Sequence, residues 1–413
     1  MKSELVTQVK ECRCCTGPLL DAFQLPATPP ADDYITSKEL ARPQPFFPLD
    51  LAICQGCGLF QLKHVVNPCL LYKNFLYRTS NSLGLVDHFK TYAAAVSARA
   101  GGERGLVVDI GSNDGTLLRF FKDQGFSVLG VDPAETVAQE ANDSGVPTIP
   151  KFFNAAVADE IIRQYGPASI VTTNNTFANI DDIHSFLVAI QRLLNREGLL
   201  VIETAYVVDH VEKMLFDNIY HEHLSYFSVS SLDVFFRRHG MHVVEAERVS
   251  TKGGSIRLYV KYAKAGSTTA KTAQELIELE QKRGFLELPR FKEYFCQLEV
   301  RKSKVQQLLS SLRSKGLLMA GYGASHSVTT LLFYFGVGEF FEFLVDDNPL
   351  KHGFLSPGYH LPVLPPEEIF LREIDYVAIL AWQYNNAIYR RRVDWITKGK
   401  KFIELFPNPQ ILT

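Results

Sequence analysis

Between residues 105 and 203 short apolar runs recur at helix-length intervals. Gly105–Ile110, Ser127–Val131, Ser169–Thr173 and Gly198–Glu203 are strand-sized, and intervening segments such as Thr116–Gln124 carry helical spacing. Strands alternating with helices build βαβ units on a parallel sheet. An amphipathic helix over Ser82–Arg99 is expected to lead into them. Past residue 266 the rhythm lengthens, and Gln274–Arg283 and Arg290–Arg313 read as long charged helices. Alternation then resumes: Gly316–Ala320 as a strand, Gly321–Ala324 as a tight loop, Ser325–Phe335 as a helix, Phe341–Val345 and Tyr376–Ala381 as strands. The first 82 residues follow neither rhythm. Pro26, Pro29, Pro30, Pro43, Pro45 and Pro48 forbid long helices there and favour loops and short strands. The expected fold class is therefore α/β in three parts: a small module over 1–82, a Rossmann-like domain over 83–265, and helices followed by a second Rossmann-like domain over 266–413.

Composition narrows the class. With 46% hydrophobic residues, 21% charged residues and a formal net charge of −2, the chain lacks the basic excess that nucleic-acid binding needs. No stretch approaches the ~20 apolar residues of a membrane span, and residues 1–10 lack the apolar core of a secretory signal. A cytoplasmic protein without nucleic-acid or membrane partners is expected. Its oligomeric state is open, and nothing in the pattern demands more than a monomer.

Six of the seven cysteines fall in the first 69 residues. Cys12-x-x-Cys15 and Cys54-x-x-Cys57 form two knuckles, each turning two thiolates toward one point, and two knuckles complete a tetrahedral Zn²⁺ shell. A catalytic zinc keeps a position open, so four cysteines predict a structural ion that staples a module too small for a core of its own. Cys14 is left as a spare.

Val107-Val-Asp-Ile-Gly-Ser-Asn-Asp-Gly115 runs from strand to glycine-rich turn to helix, bringing backbone and helix N–H groups close to a ligand. It lacks the G-x-G-x-x-G spacing of dinucleotide sites. Asp109 and Asp114 would repel a pyrophosphate; they suit a ligand with an amino group and a sulfonium, such as S-adenosyl-L-methionine. Gly111, Asn113 and Gly115 belong to the same turn. Asp132 ends the next strand about 20 residues on, where an acid bonds ribose hydroxyls, and Asn174 and Asn175 end another strand at the same sheet edge.

Tyr220-His-Glu-His223 gathers groups suited to moving protons: histidine titrates near neutrality, a carboxylate can orient it, and tyrosine can donate to an oxyanion.

Taken together these residues resemble the sugar C-methyltransferases of deoxysugar biosynthesis. The likeness covers nearly the whole chain, in order: the paired Cys-x-x-Cys module, Tyr77-Arg-Thr-Ser80, Asp109-Ile-Gly-Ser-Asn-Asp-Gly115, Tyr220-x-Glu222-His223, Gly253-Gly254 before Arg257, and Gly321-Tyr-Gly-Ala324. It implies C-methylation of a nucleotide-linked 4-keto sugar: a base removes the proton beside the ketone and the enolate carbon attacks the sulfonium methyl. Tyr77, Tyr220, Glu222 and His223 match active-site positions. The resemblance makes His223 the base with help from Glu222, and Tyr77 or Tyr220 the group that stabilises the enolate. Two departures stand out. Asn179 occupies a position that is usually histidine, where it can hydrogen-bond but not titrate, and Phe75 replaces a frequent tyrosine. His184 lies inside the helix expected from Asp181 and is no substitute.

Gly321-Tyr-Gly-Ala-Ser-His326 begins like a dinucleotide fingerprint but has histidine where the third glycine belongs, and Asp346 and Asp347 follow the next strand. A backbone cradle for the nucleotide diphosphate, made by Gly321, Tyr322, Gly323, Ala324, Ser325 and His326, is the expected use. The rival readings are a zinc-containing NAD-dependent oxidoreductase and a sugar-nucleotide binder that does not methylate.

Overall fold

The computed structural model describes residues 5–72, 78–81, 84–100 and 104–412. Its largest sheet runs in the order Met241–Val249, Ser255–Tyr262, Leu194–Ala205, Ala168–Asn174, Leu106–Ile110, Ser127–Val131 and Thr148–Ile149. The last five pair in parallel, and the Met241–Tyr262 hairpin adds antiparallel to Leu194–Ala205. Leu106–Ile110 is buried along its whole length, as a strand covered by helices on both faces should be. The next strand in sequence lies on one side of it and Ala168–Asn174 on the other. That reversal opens a crevice at the carboxyl ends of the strands.

The hairpin escapes a reading based on apolar runs. Its strands carry Glu245, Glu247, Arg248 and Arg257, and one of these charges, Arg257, is spent inside the protein. Glu203 is fully buried, and Arg257 donates to it at 2.8 Å and to Glu247 at 2.9 Å.

A second sheet, in the order Val363–Leu364, Leu344–Val345, Met319–Tyr322, Tyr376–Ile379, Lys401–Glu404 and Gln410–Leu412, carries the C-terminal part, parallel except for its last strand. Here the expected loop at Gly321–Ala324 begins later, because the strand continues through Tyr322. Gly321 is a packing glycine: a Cβ would meet Leu380 at 2.5 Å and Leu344 at 2.7 Å. Gly323, at φ +114°, makes the turn.

The N-terminal module is an antiparallel sheet of Leu19–Thr28, Phe47–Cys54 and Phe60–Leu62, and its fourth strand, Ser225–Tyr226, comes from beyond the Tyr220–His223 segment. Ile35–Thr36 pairs in turn with Phe354–Leu355 of the C-terminal part. The helix Leu288–Arg313 closes the third side, stacking Phe291 on Phe60 and Phe295 on Phe23, with ring centroids 4.3 and 3.8 Å apart. Among the described residues no helix is long and apolar enough to cross a membrane.

Candidate active site

The sulfurs of Cys12, Cys15, Cys54 and Cys57 all lie within 4.8 Å of one another, with Cys12–Cys57 at 3.5 Å and Cys15–Cys54 at 3.3 Å. These separations are far beyond a disulfide bond of about 2 Å. They suit a tetrahedron of sulfurs about 2.3 Å from one Zn²⁺. Cys14 is completely buried beside them and outside the set. Four thiolates close the shell, so zinc here holds the fold.

A cavity of about 360 Å³ opens at the carboxyl ends of Leu106–Ile110 and Ala168–Asn174. Asp109, Gly111, Asn113, Asp132, Asn174 and Asn175 line it. Gly111 has φ +79°, and a Cβ there would strike the Thr176 hydroxyl at 2.1 Å. The Asn113 N–H donates to Asp132 at 2.9 Å, while its side-chain oxygen accepts from the Thr79 N–H at 2.8 Å. Asp114 and Gly115 are not in the lining. The Asp114 carboxylate accepts from the Ser80 N–H and the Thr116 hydroxyl, which hold it below the usual carboxylate range although burial opposes them. Gly115, at φ +73°, starts the helix. The Thr79-Ser80 end of the Tyr77 motif is thus pinned onto the glycine turn. Tyr77 and Phe75 themselves lie outside the described residues.

Burial pushes the Asp109 carboxyl up to about 7, against hydrogen bonds from Thr172 and Asn174. The Asn174 Oδ1 and the Ser112 hydroxyl have no hydrogen-bond partner among the described residues. A buried carboxyl beside unanswered polar atoms suits a cationic ligand with hydroxyls, and S-adenosyl-L-methionine meets both requirements.

The same cavity is lined by Tyr72, Asn179, Tyr220, Glu222, Lys252 and His326. Glu222 is 4% exposed; its Oε2 has no hydrogen-bond partner among the described residues, and burial, with Asp32 adding, raises its pKa. His221 and His223 are absent from the lining. The His221 Nε2 lies 3.1 Å from the Phe47 carbonyl of the zinc module. The His223 ring packs 4.6 Å from that of Tyr226, and burial, with Lys252 adding, lowers its pKa to about 4. Asn179 ends a turn at Phe177–Asn179, and its side chain hydrogen-bonds the Tyr72 hydroxyl. His184 sits in the helix Ile183–Leu193, 2.7 Å from His239.

Among the described residues, His326 is the one contribution to the lining from beyond residue 266. Its Nε2 lies 3.2 Å from the Asp32 carboxylate. Burial alone would lower its pKa, but Asp32 and Glu222 outweigh burial and raise it. Gly321, Tyr322, Gly323, Ala324 and Ser325 do not line the cavity. The Ala324 carbonyl accepts from the Tyr34 hydroxyl at 2.6 Å, and its N–H donates to Asp346 at 2.7 Å. Asp347 accepts from Tyr322, Arg391 and Arg392. Both acids are engaged within the chain, and neither lines the cavity.

Tyr72, Lys252 and Asp32 escaped the sequence reading. A trace of Lys252 was available in the Gly253-Gly254 pair that follows it: the three residues have φ of +50°, +85° and +148°, a strained turn of the kind that collects at functional sites. Glu203 anchors that turn from below, accepting from Thr251 at 3.1 Å and facing the His88 Nε2 at 2.7 Å.

Three families match along the chain: a zinc binding domain over residues 12–72, a methyltransferase domain over 86–246, and a C-methyltransferase C-terminal domain over 250–407. The C-methyltransferase NovU of Streptomyces niveus is 33% identical over 413 residues, covering 99% of this chain and 98% of that protein. This chain belongs to the C-methyltransferase family. An uncharacterized methyltransferase of Alkaliphilus oremlandii is 25% identical over 158 residues, 36% of this chain and 69% of its own length. The magnesium protoporphyrin IX methyltransferase of Synechocystis, solved with bound SAM, covers 44% of this chain and 81% of its own at 14% identity and a TM-score of 0.34. The protein is thus an S-adenosyl-L-methionine-dependent methyltransferase with a zinc module.

Proposed function

We propose that this enzyme methylates carbon beside the ketone of a nucleotide-diphosphate-linked 4-keto deoxysugar. What carries the reading is that one cavity is lined both by Asp109 and Asp132, to which the reading gives the cofactor, and by Tyr220 and Glu222, to which it gives proton handling. A carbon nucleophile needs a base within reach of the methyl donor, and a ketone is what makes the neighbouring C–H acidic enough to lose its proton.

When bound, S-adenosyl-L-methionine supplies an electrophilic methyl group. The residues do the rest. Glu222 presents the carboxylate that faces the cavity, and its raised pKa suits a base. His223, kept neutral by burial, lies outside the lining, so Glu222 takes the role that the family resemblance gives to His223. Tyr220, with Tyr77, donates to the enolate oxygen. Asn179, tied to Tyr72, orients substrate without exchanging a proton.

The deciding experiment incubates the zinc-loaded enzyme with S-adenosyl-L-methionine and thymidine-diphosphate-4-keto-6-deoxyglucose in heavy water. A product heavier by one methyl group, placed beside the ketone by NMR, supports the reading. A sugar that gains neither methyl nor deuterium at that carbon, across thymidine, uridine, guanosine and cytidine diphosphates, overturns it.

A further inference from the structure

We propose that His326, held by Asp32, is the cationic donor that receives the charge developing on the substrate's ketone oxygen. This rests on the reading of the enzyme as a keto-sugar C-methyltransferase and adds to it a residue from the C-terminal part.

The geometry comes first. His326 lines the cavity together with Glu222 and Tyr220, and its ring centroid is 5.8 Å from that of Tyr220. It stands at the first position of the helix His326–Phe335, where the backbone dipole disfavours a cation. A charged ring there needs an opposing carboxylate, and Asp32, only 9% exposed, supplies one at 3.2 Å. Asp32 comes from the N-terminal module, so three separate stretches of chain converge on this ring. The charged groups that face it are two carboxylates, Asp32 and Glu222, and one cation, Lys351, whose Nζ is 3.7 Å from Asp32. With His326 protonated the group is balanced, two against two. With His326 neutral it holds an uncompensated negative charge in a buried site, which is costly.

The chemistry follows. Glu222 takes the proton as the C–H bond breaks; the C–H electron pair becomes the new carbon–carbon double bond, and the carbonyl pair moves onto oxygen. A protonated imidazole carries an N–H on each nitrogen, and His326 hydrogen-bonds the forming oxyanion. The carbon–carbon double-bond pair then forms the bond to the methyl group, the methyl–sulfur pair stays on sulfur as S-adenosylhomocysteine leaves, the oxygen pair restores the ketone, and the proton on Glu222 passes to solvent. Asn179 cannot supply a cation, whereas His326 can, from a different part of the chain. At this point of the C-terminal loop a dinucleotide fingerprint has glycine so that helix and strand can pack closely. A histidine exchanges that packing for a side chain that lines the cavity.

The test uses full-length, zinc-loaded enzyme and thymidine-diphosphate-4-keto-6-deoxyglucose as probe. H326Q is expected to slow deuterium exchange beside the ketone by about 100-fold while leaving KM and S-adenosylhomocysteine affinity near wild type. D32N, where Asp32 acts as a positioning residue, is expected to move the alkaline limb of the kcat pH profile to lower pH. The proposal is overturned if H326Q exchanges within about threefold of wild type with an unchanged pH profile. Histidine ring NMR of the wild-type enzyme, assigned with H326Q, reads the charge without any substrate. A ring that keeps its proton through neutrality supports the proposal, and one that loses it below about pH 6.5 overturns it. Wild-type enzyme that neither exchanges nor methylates overturns the function proposed above, and is told apart from failure of the His326 role by the variant comparison and the NMR titration.

Discussion

Arg13, between two cysteines of the first zinc knuckle, reaches Asp181 on the cavity wall at 2.9 Å. Its guanidinium also donates to the Leu62 carbonyl at 2.7 Å and to that of Leu224 at 3.4 Å, and Leu224 in turn donates to the Ala178 carbonyl at 2.9 Å. The knuckle is therefore bonded to the turn that carries Asn179 and to the segment that carries Glu222.

Chelation of zinc should abolish methyl transfer and weaken S-adenosylhomocysteine binding together, because the wall loses its support. Thermal unfolding and isothermal titration before and after chelator would check this. Arg13→Ala should leave the zinc content at one ion per chain yet cost on the order of 1–2 kcal/mol, mostly from the Leu62 carbonyl left without a donor, since the Leu224 carbonyl keeps the Leu62 N–H. The ion pair itself adds little, since Asp181 is 47% exposed.

Asp109 sets a pH dependence for the cofactor site. Its folded pKa, about 7, lies above the ordinary 3.8, so ionising it costs the fold stability as pH rises through that interval. A cationic ligand needs the ionised form, so affinity should climb from about pH 6 and level off near about pH 8. Asp109→Asn should flatten that climb and raise the melting temperature of the unliganded enzyme above neutral pH. Titration of S-adenosylhomocysteine across this range, with melting curves, tests both signs.

Glu203→Ala removes the partner of Arg257, whose side chain is 6% exposed, and should cost about 3–5 kcal/mol. The Lys252 turn, anchored on Glu203 through Thr251, should loosen with it. His88 and Arg257 hold the Glu203 pKa below the ordinary 4.5 although burial opposes them. Its contribution is thus present above that value and fades as pH falls through the folded pKa. Acid unfolding of wild type and Glu203→Gln should accordingly diverge most near neutral pH and converge in acid.

Tyr72→Phe and Asn179→Ala should each lower kcat, and the double variant should lose less than the product of the two effects. Their side chains form one contact, so a coupling of about 1 kcal/mol is expected. Steady-state kinetics on the four proteins measures it.

Much of this was legible in the sequence, for physical reasons that differ by residue. The zinc ligands and the Asp109 turn declare themselves because their chemistry is local: two thiols per knuckle, glycines between a strand and a helix. Glu222 was legible as a titratable group among histidines, but not the division of labour inside its segment. Only folding shows that Glu222 faces the cavity while His221 turns to Phe47 and His223 packs on Tyr226. Asp32 and Tyr72 stand in no motif and Lys252 only borders the Gly253-Gly254 pair, and all three acquire meaning from neighbours distant in sequence. The hairpin Met241–Tyr262 was hidden by charged residues that mimic a solvent-facing segment, although Arg257 is buried.

The strand Ser225–Tyr226 belongs to the central part by sequence and to the zinc module by hydrogen bonding. A module that borrows a strand from its neighbour cannot be exchanged as a cassette. Chimaeras that join the first 82 residues of one relative to the remainder of another would have to carry the matching Tyr220–Tyr226 stretch with them, and lineages of these enzymes are bound to inherit the two segments as one unit.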